Sequence, residues 1–233
     1  MSVRQCVFLV GGLGTRLGDL AREIPKPMLP VAGRPFLDHL LAKAARGGFD
    51  RALLLAGHRA EVIARHLEES RLAERLGMRI ALSVEPAPLG TGGALSHARD
   101  QLDEAFLLLN GDTWFDFDWR ALADRDGRPG FLALREVEPA DRYETVSLAG
   151  DQITEFRPRD ATLRRGLING GVCRLDKAVV PREERAFSLE TELFPALCAA
   201  GDLGGAAYDG AFVDIGLPAS LASAEAVLAG ASS

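Results

Sequence analysis

Val10-Gly11-Gly12-Leu13-Gly14-Thr15-Arg16-Leu17, followed by Pro25-Lys26-Pro27-Met28, is the stretch from which the fold and the chemistry of this chain are read. A short apolar run, Cys6-Val7-Phe8-Leu9-Val10, leads into it, the pattern of a buried strand that ends in a turn. Gly11, Gly12 and Gly14 expose backbone N–H groups and let a bulky anion approach without meeting a Cβ. Arg16 and Lys26 add positive charge. Pro25 and Pro27 restrict the backbone around Lys26, so placing its ammonium costs less entropy on binding. The stretch reads as a phosphate cradle.

Outward from it, strand and helix alternate. Residues 35–46 place Phe36, Leu37, Leu40, Leu41 and Ala44 at helical spacing, with Pro35 near the first turn. Arg51 to Ala56 reads as a second buried strand, Ala60 to Leu76 as one amphipathic helix and Arg79 to Val84 as a third strand. The loop Glu85-Pro86-Ala87-Pro88-Leu89-Gly90-Thr91-Gly92-Gly93 opens a further helix. Ala105 to Leu109 is a fourth strand, ending in Asn110-Gly111-Asp112. Such alternation implies a parallel sheet covered on both faces, and right-handed crossovers bring the loops leaving its strands to one edge. The glycine turn, the Glu85 loop and Asp112 should meet there.

The second half is less regular. Residues 130–137, 144–148 and 152–156 read as antiparallel strands, with a hairpin turn at Ala149-Gly150-Asp151-Gln152. Leu167 to Leu175 carries Asn169-Gly170-Gly171 in mid-strand, which marks a bulge or a close backbone approach to a ligand. Residues 189–199 read as helix, 211–216 as a short strand and 218–228 as a closing helix. The expected fold is α/β: a Rossmann-like three-layer α/β/α arrangement with a mixed central sheet, parallel in its N-terminal half, plus a small antiparallel hairpin region. A single domain over 1–233 is expected, its first half (1–115) for nucleotide and its second (116–233) for the acceptor.

Bulk properties narrow the function. With 233 residues, 47% hydrophobic and 26% charged, the chain suits a globular domain with a full core. A net charge of −6 speaks against a nucleic-acid partner, which needs basic stripes. A basic pocket in an acidic protein points instead to a small anionic substrate. Cys6, Cys173 and Cys198 are far apart in apolar runs and read as buried thiols of a reducing compartment. His39, His58, His66 and His97 have no partner at ligand spacing and read as structural or solvated. No signal peptide or membrane span is apparent, so no membrane partner and a cytoplasmic location are expected.

Two phosphate motifs fail on the opening stretch. A dinucleotide GxGxxG does not match, because Gly12-Leu13-Gly14 is followed by Thr15-Arg16-Leu17-Gly18, and no acid ends the second strand. A Walker A loop does not match either, for want of a GK[ST]. Gly-Gly-x-Gly-Thr-Arg-Leu followed by Pro-Lys-Pro-Met does resemble the signature of the sugar-phosphate nucleotidyltransferases, and the resemblance covers nearly the whole chain.

That resemblance implies a role for each strand end. Gly11, Gly12, Gly14, Thr15 and Arg16 would hold a nucleoside triphosphate, and Lys26 would reach the reacting phosphates. Glu85 with Gly90 and Thr91 would form the base-recognition loop, while Asp112 and Asp214 would bind Mg²⁺. Asn169, Gly171 and Glu190 would contact the sugar 1-phosphate. Where the family places a lysine after the hairpin to reach the sugar phosphate, this chain has Arg157 in Glu155-Phe156-Arg157-Pro158, which would grip that phosphate in its place. Arginine keeps the charge but not the geometry. The stretches Pro88 to Gly93 and Asp214-Ile215-Gly216 are most similar to the branch that makes GDP-linked heptose or mannose, which implies GTP and a manno-heptose 1-phosphate as substrates.

The chemistry suits these residue types. A sugar 1-phosphate oxygen attacks the α-phosphorus and pyrophosphate leaves in line, so the enzyme needs cations and alignment rather than a nucleophilic side chain. Mg²⁺ commonly takes one or two carboxylates plus phosphate oxygens. A carboxylate at Glu85 fits the N1–H and N2–H₂ edge of guanine, whereas uracil and thymine would turn carbonyl oxygens toward it. Plainer readings stand beside these: Glu85 as a solvated loop residue, Asp112 as a turn aspartate, Asp214 and Ser188 as helix caps, Arg157 as a surface charge, Trp114 and Phe115 as core. A uridylyl- or thymidylyltransferase acting on another sugar, including N-acetylmuramic acid 1-phosphate, and an inactive nucleotide-sugar sensor remain open. A dehydrogenase is disfavoured by the missing ribose-binding acid. No β-helix extension is expected, and the sequence leaves monomer or homodimer open.

Overall fold

The computed structural model describes residues 2–12, 24–216 and 218–231. Gly14, Thr15 and Arg16, three of the residues assigned to the cradle, lie outside this range.

The first half builds from β1 (Gln5–Leu9), the short strands β2 (Pro30–Val31) and β3 (Arg34–Pro35), helix α1 (Phe36–Arg46) and β4 (Arg51–Ala56). Helices α2 (Ala60–Ser70) and α3 (Leu72–Leu76), strand β5 (Arg79–Val84), helix α4 (Gly90–His97) and strand β6 (Ala105–Asn110) follow. β1 pairs in parallel with both β4 and β6, and β4 with β5. The inner strands β1, β4 and β6 are apolar through their middles because both faces are covered, whereas the edge strand β5 is largely exposed. Phe8, Leu54 and Leu109 enter one core with Phe36, Leu40 and Ile63 of α1 and α2. Val7, Leu53 and Leu108 enter a second core on the other face with Leu95 of α4.

The second half comprises β7 (Thr113–Phe115), α5 (Trp119–Ala123), β8 (Gly130–Val137), β9 (Thr145–Ala149), β10 (Gln152–Arg157) and β11 (Gly166–Asp176). It closes with α6 (Phe194–Ala200), β12 (Leu203–Ala207), β13 (Phe212–Asp214) and α7 (Pro218–Ala231). Among the described residues one nine-stranded sheet runs β5-β4-β1-β6-β11-β8-β12-β10-β9, with β9 also touching β11. α7 adds Ala224 and Leu228 to the first core, and α6 adds Phe194 and Leu197 to the second. Among the described residues no helix is long and apolar enough to cross a membrane.

Three expectations need correction. The helix read over 60–76 breaks at Arg71, whose φ is 49°. In an unbroken helix Leu72 would stand about 140° round from Leu67 and miss the core. The left-handed residue restarts the helix so that Leu72 is buried. The helix read from Leu189 begins as one π turn (Leu189–Leu193) before α6. The strands after residue 130 are no simple antiparallel series, because β12 inserts between β8 and β10 and runs parallel to β8. Its sequence, Leu-Gly-Gly-Ala-Ala, lacks the β-branched residues that signal a strand. Small residues are required there: a Cβ on Gly204 would overlap the Phe131 ring.

Candidate active site

A cavity of about 330 Å³ opens where the parallel strands end. Val10 to Gly12 after β1, Glu85 to Thr91 after β5 and Asn110 to Asp112 after β6 contribute to its wall, joined by Lys26 and by Glu190 from the second half. A sheet edge at the carboxyl ends of parallel strands is where open α/β folds bind ligands.

One corner of the cavity gathers charge. Lys26–Met28 form a single tight turn, held by the Met28 N–H donating to the Pro25 carbonyl at 2.8 Å. The turn leaves Lys26 only 8% exposed, and its Nζ donates to Asp112 Oδ2 at 2.9 Å. Strand β13 pairs antiparallel with β7, setting Asp214 opposite Thr113, next in chain to Asp112. The Ile215 N–H donates to the Asp112 carbonyl at 2.9 Å. The Gly216 N–H donates to Asp214 Oδ1 at 2.5 Å, and a Cβ on Gly216 would stand 3.2 Å from Lys26 Nζ. Asp214 therefore lies on a strand and not at the start of α7. The sequence reading quoted Gly216 within Asp214-Ile215-Gly216 but gave it no role of its own.

Glu85 is half-buried and tied to its own loop, although Pro86 to Pro88 beside it are exposed. Glu85 Oε2 accepts the Leu89 N–H at 3.0 Å, and its side chain lies against the bare backbone of Gly57. Gly90 has φ +72°, and a Cβ on it would stand 2.6 Å from the Phe187 carbonyl oxygen. The Gly92 N–H donates to that oxygen at 3.0 Å, and the Phe187 N–H donates to the Leu89 carbonyl at 2.9 Å. Any Cβ on Gly92 would overlap the Phe187 ring. The glycines after Leu89 thus admit the segment around Phe187, a residue the sequence reading did not single out and whose only signal is its place beside the Ser188 cap.

Thr91 and Glu190, read as parts of different subsites, are joined directly. Thr91 Oγ1 donates to Glu190 Oε2 at 2.8 Å and accepts the Leu189 N–H at 2.9 Å. Ser188 Oγ donates to the same carboxylate oxygen at 2.7 Å and accepts the N–H groups of Glu190 and Thr191. Ser188 is therefore a helix cap, as its sequence context suggested.

Asn169-Gly170-Gly171 forms the mid-strand irregularity expected of it, with a register shift in the β11–β8 pairing. Asn169 Oδ1 accepts the Gly171 N–H at 3.0 Å, and Gly171, with φ +75°, packs against Asn110 and Thr113 beside the cavity. Arg157 is not brought into the cavity wall. Its side chain, 59% exposed on β10, pairs with Glu155 at 2.9 Å. Trp114 and Phe115 are core residues.

Two histidines and the cysteines lie away from the cavity wall. Burial lowers the His39 pKa, and its Nε2 sits 2.8 Å from the Val31 carbonyl oxygen. His66 Nε2 lies 2.7 Å from Asp38 Oδ1. The three cysteines are unbridged, and burial pushes the Cys6 and Cys173 thiols far up, aided at Cys173 by the Glu190 charge.

Comparison with known proteins identifies the family. The Nucleotidyl transferase family model matches residues 5–229. The D-glycero-alpha-D-manno-heptose 1-phosphate guanylyltransferase of Campylobacter jejuni is 33% identical over 92% of this chain and 95% of its own length. The catalytic subunit beta of mannose-1-phosphate guanylyltransferase from Xenopus tropicalis is 31% identical over 92% of this chain, which spans 61% of that longer protein. The crystal structure of HddC from Yersinia pseudotuberculosis complexed with GMP-PN superposes with a TM-score of 0.84 at 26% identity, covering 97% of this chain and 99% of that one. With nearly its whole length matched by the family model, the chain belongs to the nucleotidyl transferase family.

Proposed function

We propose that this protein is a Mg²⁺-dependent guanylyltransferase that joins GTP to a sugar 1-phosphate, with a manno-configured heptose 1-phosphate as the acceptor. Pyrophosphate is released, and the GDP-sugar serves cell-surface polysaccharide synthesis from the cytoplasm. The observation that carries the reading is the corner where Lys26 meets Asp112 beside Asp214, opening on a cavity walled by both halves of the chain. The names of the relatives from Campylobacter jejuni and Xenopus tropicalis support guanylyl transfer, and the GMP-PN complex of the structural neighbour supports a guanine nucleotide as the donor. With helices covering both faces, the sheet is read as Rossmann-like and three-layered, in one domain.

The donor set fits the proposed ion. Asp112 and Asp214 offer hard carboxylate oxygens, the ligand type Mg²⁺ prefers, and no group of three or more potential ligand side chains exists among the described residues. Two carboxylates leave room for phosphate oxygens. When bound, the ion supplies Lewis-acid neutralisation of phosphate charge.

The chain's own residues do the rest. Gly12 lets the triphosphate approach the end of β1, with Gly14, Thr15 and Arg16 following it in sequence. A carboxylate oxygen has two lone pairs, so Glu85 can accept the Leu89 N–H and still face a guanine edge. Asn169 and Glu190 take the acceptor, whose phosphate oxygen attacks the α-phosphorus. A bond from that oxygen to phosphorus forms as the bond to the pyrophosphate oxygen breaks, and Lys26, held ready by Asp112, stabilises the charge that develops.

A pyrophosphate-release screen of four nucleoside triphosphates against a panel of sugar 1-phosphates tests this. GTP with a manno-heptose 1-phosphate should give the highest kcat/KM. Preference for UTP or dTTP would overturn the guanylyl assignment, and no release from any pair would overturn transferase activity.

A further inference from the structure

We propose that Thr91 is a positioning residue for the acceptor: standing on the nucleotide-facing loop, its hydroxyl holds the Glu190 carboxylate in the orientation that meets the acceptor's hydroxyls. The inference rests on the function proposed above. Thr91 was assigned to the nucleotide by its neighbours in sequence, but the structure gives its hydroxyl other work. Its proton goes to Glu190 Oε2 at 2.8 Å and its lone pair takes the Leu189 N–H at 2.9 Å. Ser188 donates a second hydroxyl to the same Oε2 at 2.7 Å. Among the described residues no hydrogen bond engages Oε1, and Glu190 lines the cavity. Two donors on one oxygen fix the plane of the carboxylate and leave the other oxygen for a ligand.

A purely structural role for Thr91 is weakened by what surrounds it. The segment is already fastened to the loop by the Gly92 N–H on the Phe187 carbonyl and the Phe187 N–H on the Leu89 carbonyl. The Thr91 hydroxyl adds direction to a glutamate, a side chain with several rotatable bonds that would otherwise be held only by the single hydrogen bond from Ser188. A group held in place before the acceptor arrives spends less binding energy on ordering. Because the loop that reads the nucleotide carries the hydroxyl, donor and acceptor subsites share one hydrogen bond.

The test is steady-state kinetics of wild type, Thr91→Val, Thr91→Ser and Glu190→Ala, and of the Val and Ala changes combined, with melting curves for each. Expected are an acceptor KM raised about tenfold in Thr91→Val with the GTP KM within about twofold, and recovery in Thr91→Ser. Thr91→Val should add nothing further once Glu190 is alanine. An unchanged acceptor KM in Thr91→Val, an equal rise for both substrates, or a full effect in the Glu190→Ala background would each overturn the inference. An active wild type with an unaffected Thr91→Val removes only this inference; a wild type without turnover removes the functional reading and this inference with it.

Discussion

Two glycine-rich stretches of this chain look alike in sequence and do different work. Gly11-Gly12 follows β1, and Gly90 to Gly93 forms the first turn of α4 after the loop that leaves β5; both invite the reading of a bed for phosphate. Gly11 makes room for the backbone of Gly57, 2.9 Å from where its Cβ would stand, but at Gly12 an added Cβ would meet nothing within 4 Å, so the backbone there is open to an incoming ligand. At Gly92 and Gly93 the space is already filled, by the Phe187 ring and the Arg185 carbonyl. The Gly92 N–H, which an anion might have taken at a helix start, is bonded to the Phe187 carbonyl. A glycine admits close approach, but only the fold determines whether a ligand or another part of the chain approaches.

The largest expected effect lies on the open side. Lys26→Ala should lower kcat by about a thousandfold, since it removes the cation beside the reacting phosphates. Melting should stay near wild type, because its partner Asp112 is partly exposed and can be hydrated. Near-normal turnover, or a chain that no longer folds, would defeat that assignment.

Next comes the pair of glycines. Gly92→Ala should destabilise by about 1–3 kcal/mol through overpacking against Phe187, which for a chain of this size lowers Tm by roughly 2–4 °C per kcal/mol. Gly12→Ala should leave Tm unchanged and raise the GTP KM severalfold. If Gly12→Ala melted early while Gly92→Ala merely lost nucleotide affinity, the contrast between the two stretches would be reversed.

A smaller effect is expected at Glu85. Glutamine keeps an oxygen for the Leu89 N–H but turns a donor toward the guanine edge, so the preference for GTP over UTP should fall about tenfold in direct competition. The smallest concerns Arg157, whose exposed pairing with Glu155 is screened by solvent. Arg157→Ala should leave kcat/KM within about twofold. A large loss would place the sugar phosphate near β10 after all.

The parallel strands and the site residues at their ends were legible because apolar runs bounded by glycine leave few choices. Lys26, Asp112 and Glu85 all reach the cavity that the sequence placed at that edge. What was illegible depends on partners far along the chain. The break at Arg71 exists to bury Leu72, and β12 is a strand because its small residues make room for Phe131. No local pattern carries either fact. The β13–β7 pairing that sets Asp214 beside Asp112 joins short strands that hold few residues each. The Thr91–Glu190 bond spans 99 positions, and neither residue announces the other.

The central claim is that the corner formed by Lys26, Asp112 and Asp214 serves nucleotidyl transfer rather than nucleotide binding or hydrolysis. Phosphorus NMR of wild-type protein with GTP, Mg²⁺ and a manno-heptose 1-phosphate tests it directly. The account predicts pyrophosphate and a GDP-sugar appearing in equal amounts as GTP and sugar phosphate disappear, with both formed about a thousandfold more slowly by Lys26→Ala. GDP and inorganic phosphate with the sugar phosphate untouched, or no change at all, would contradict it.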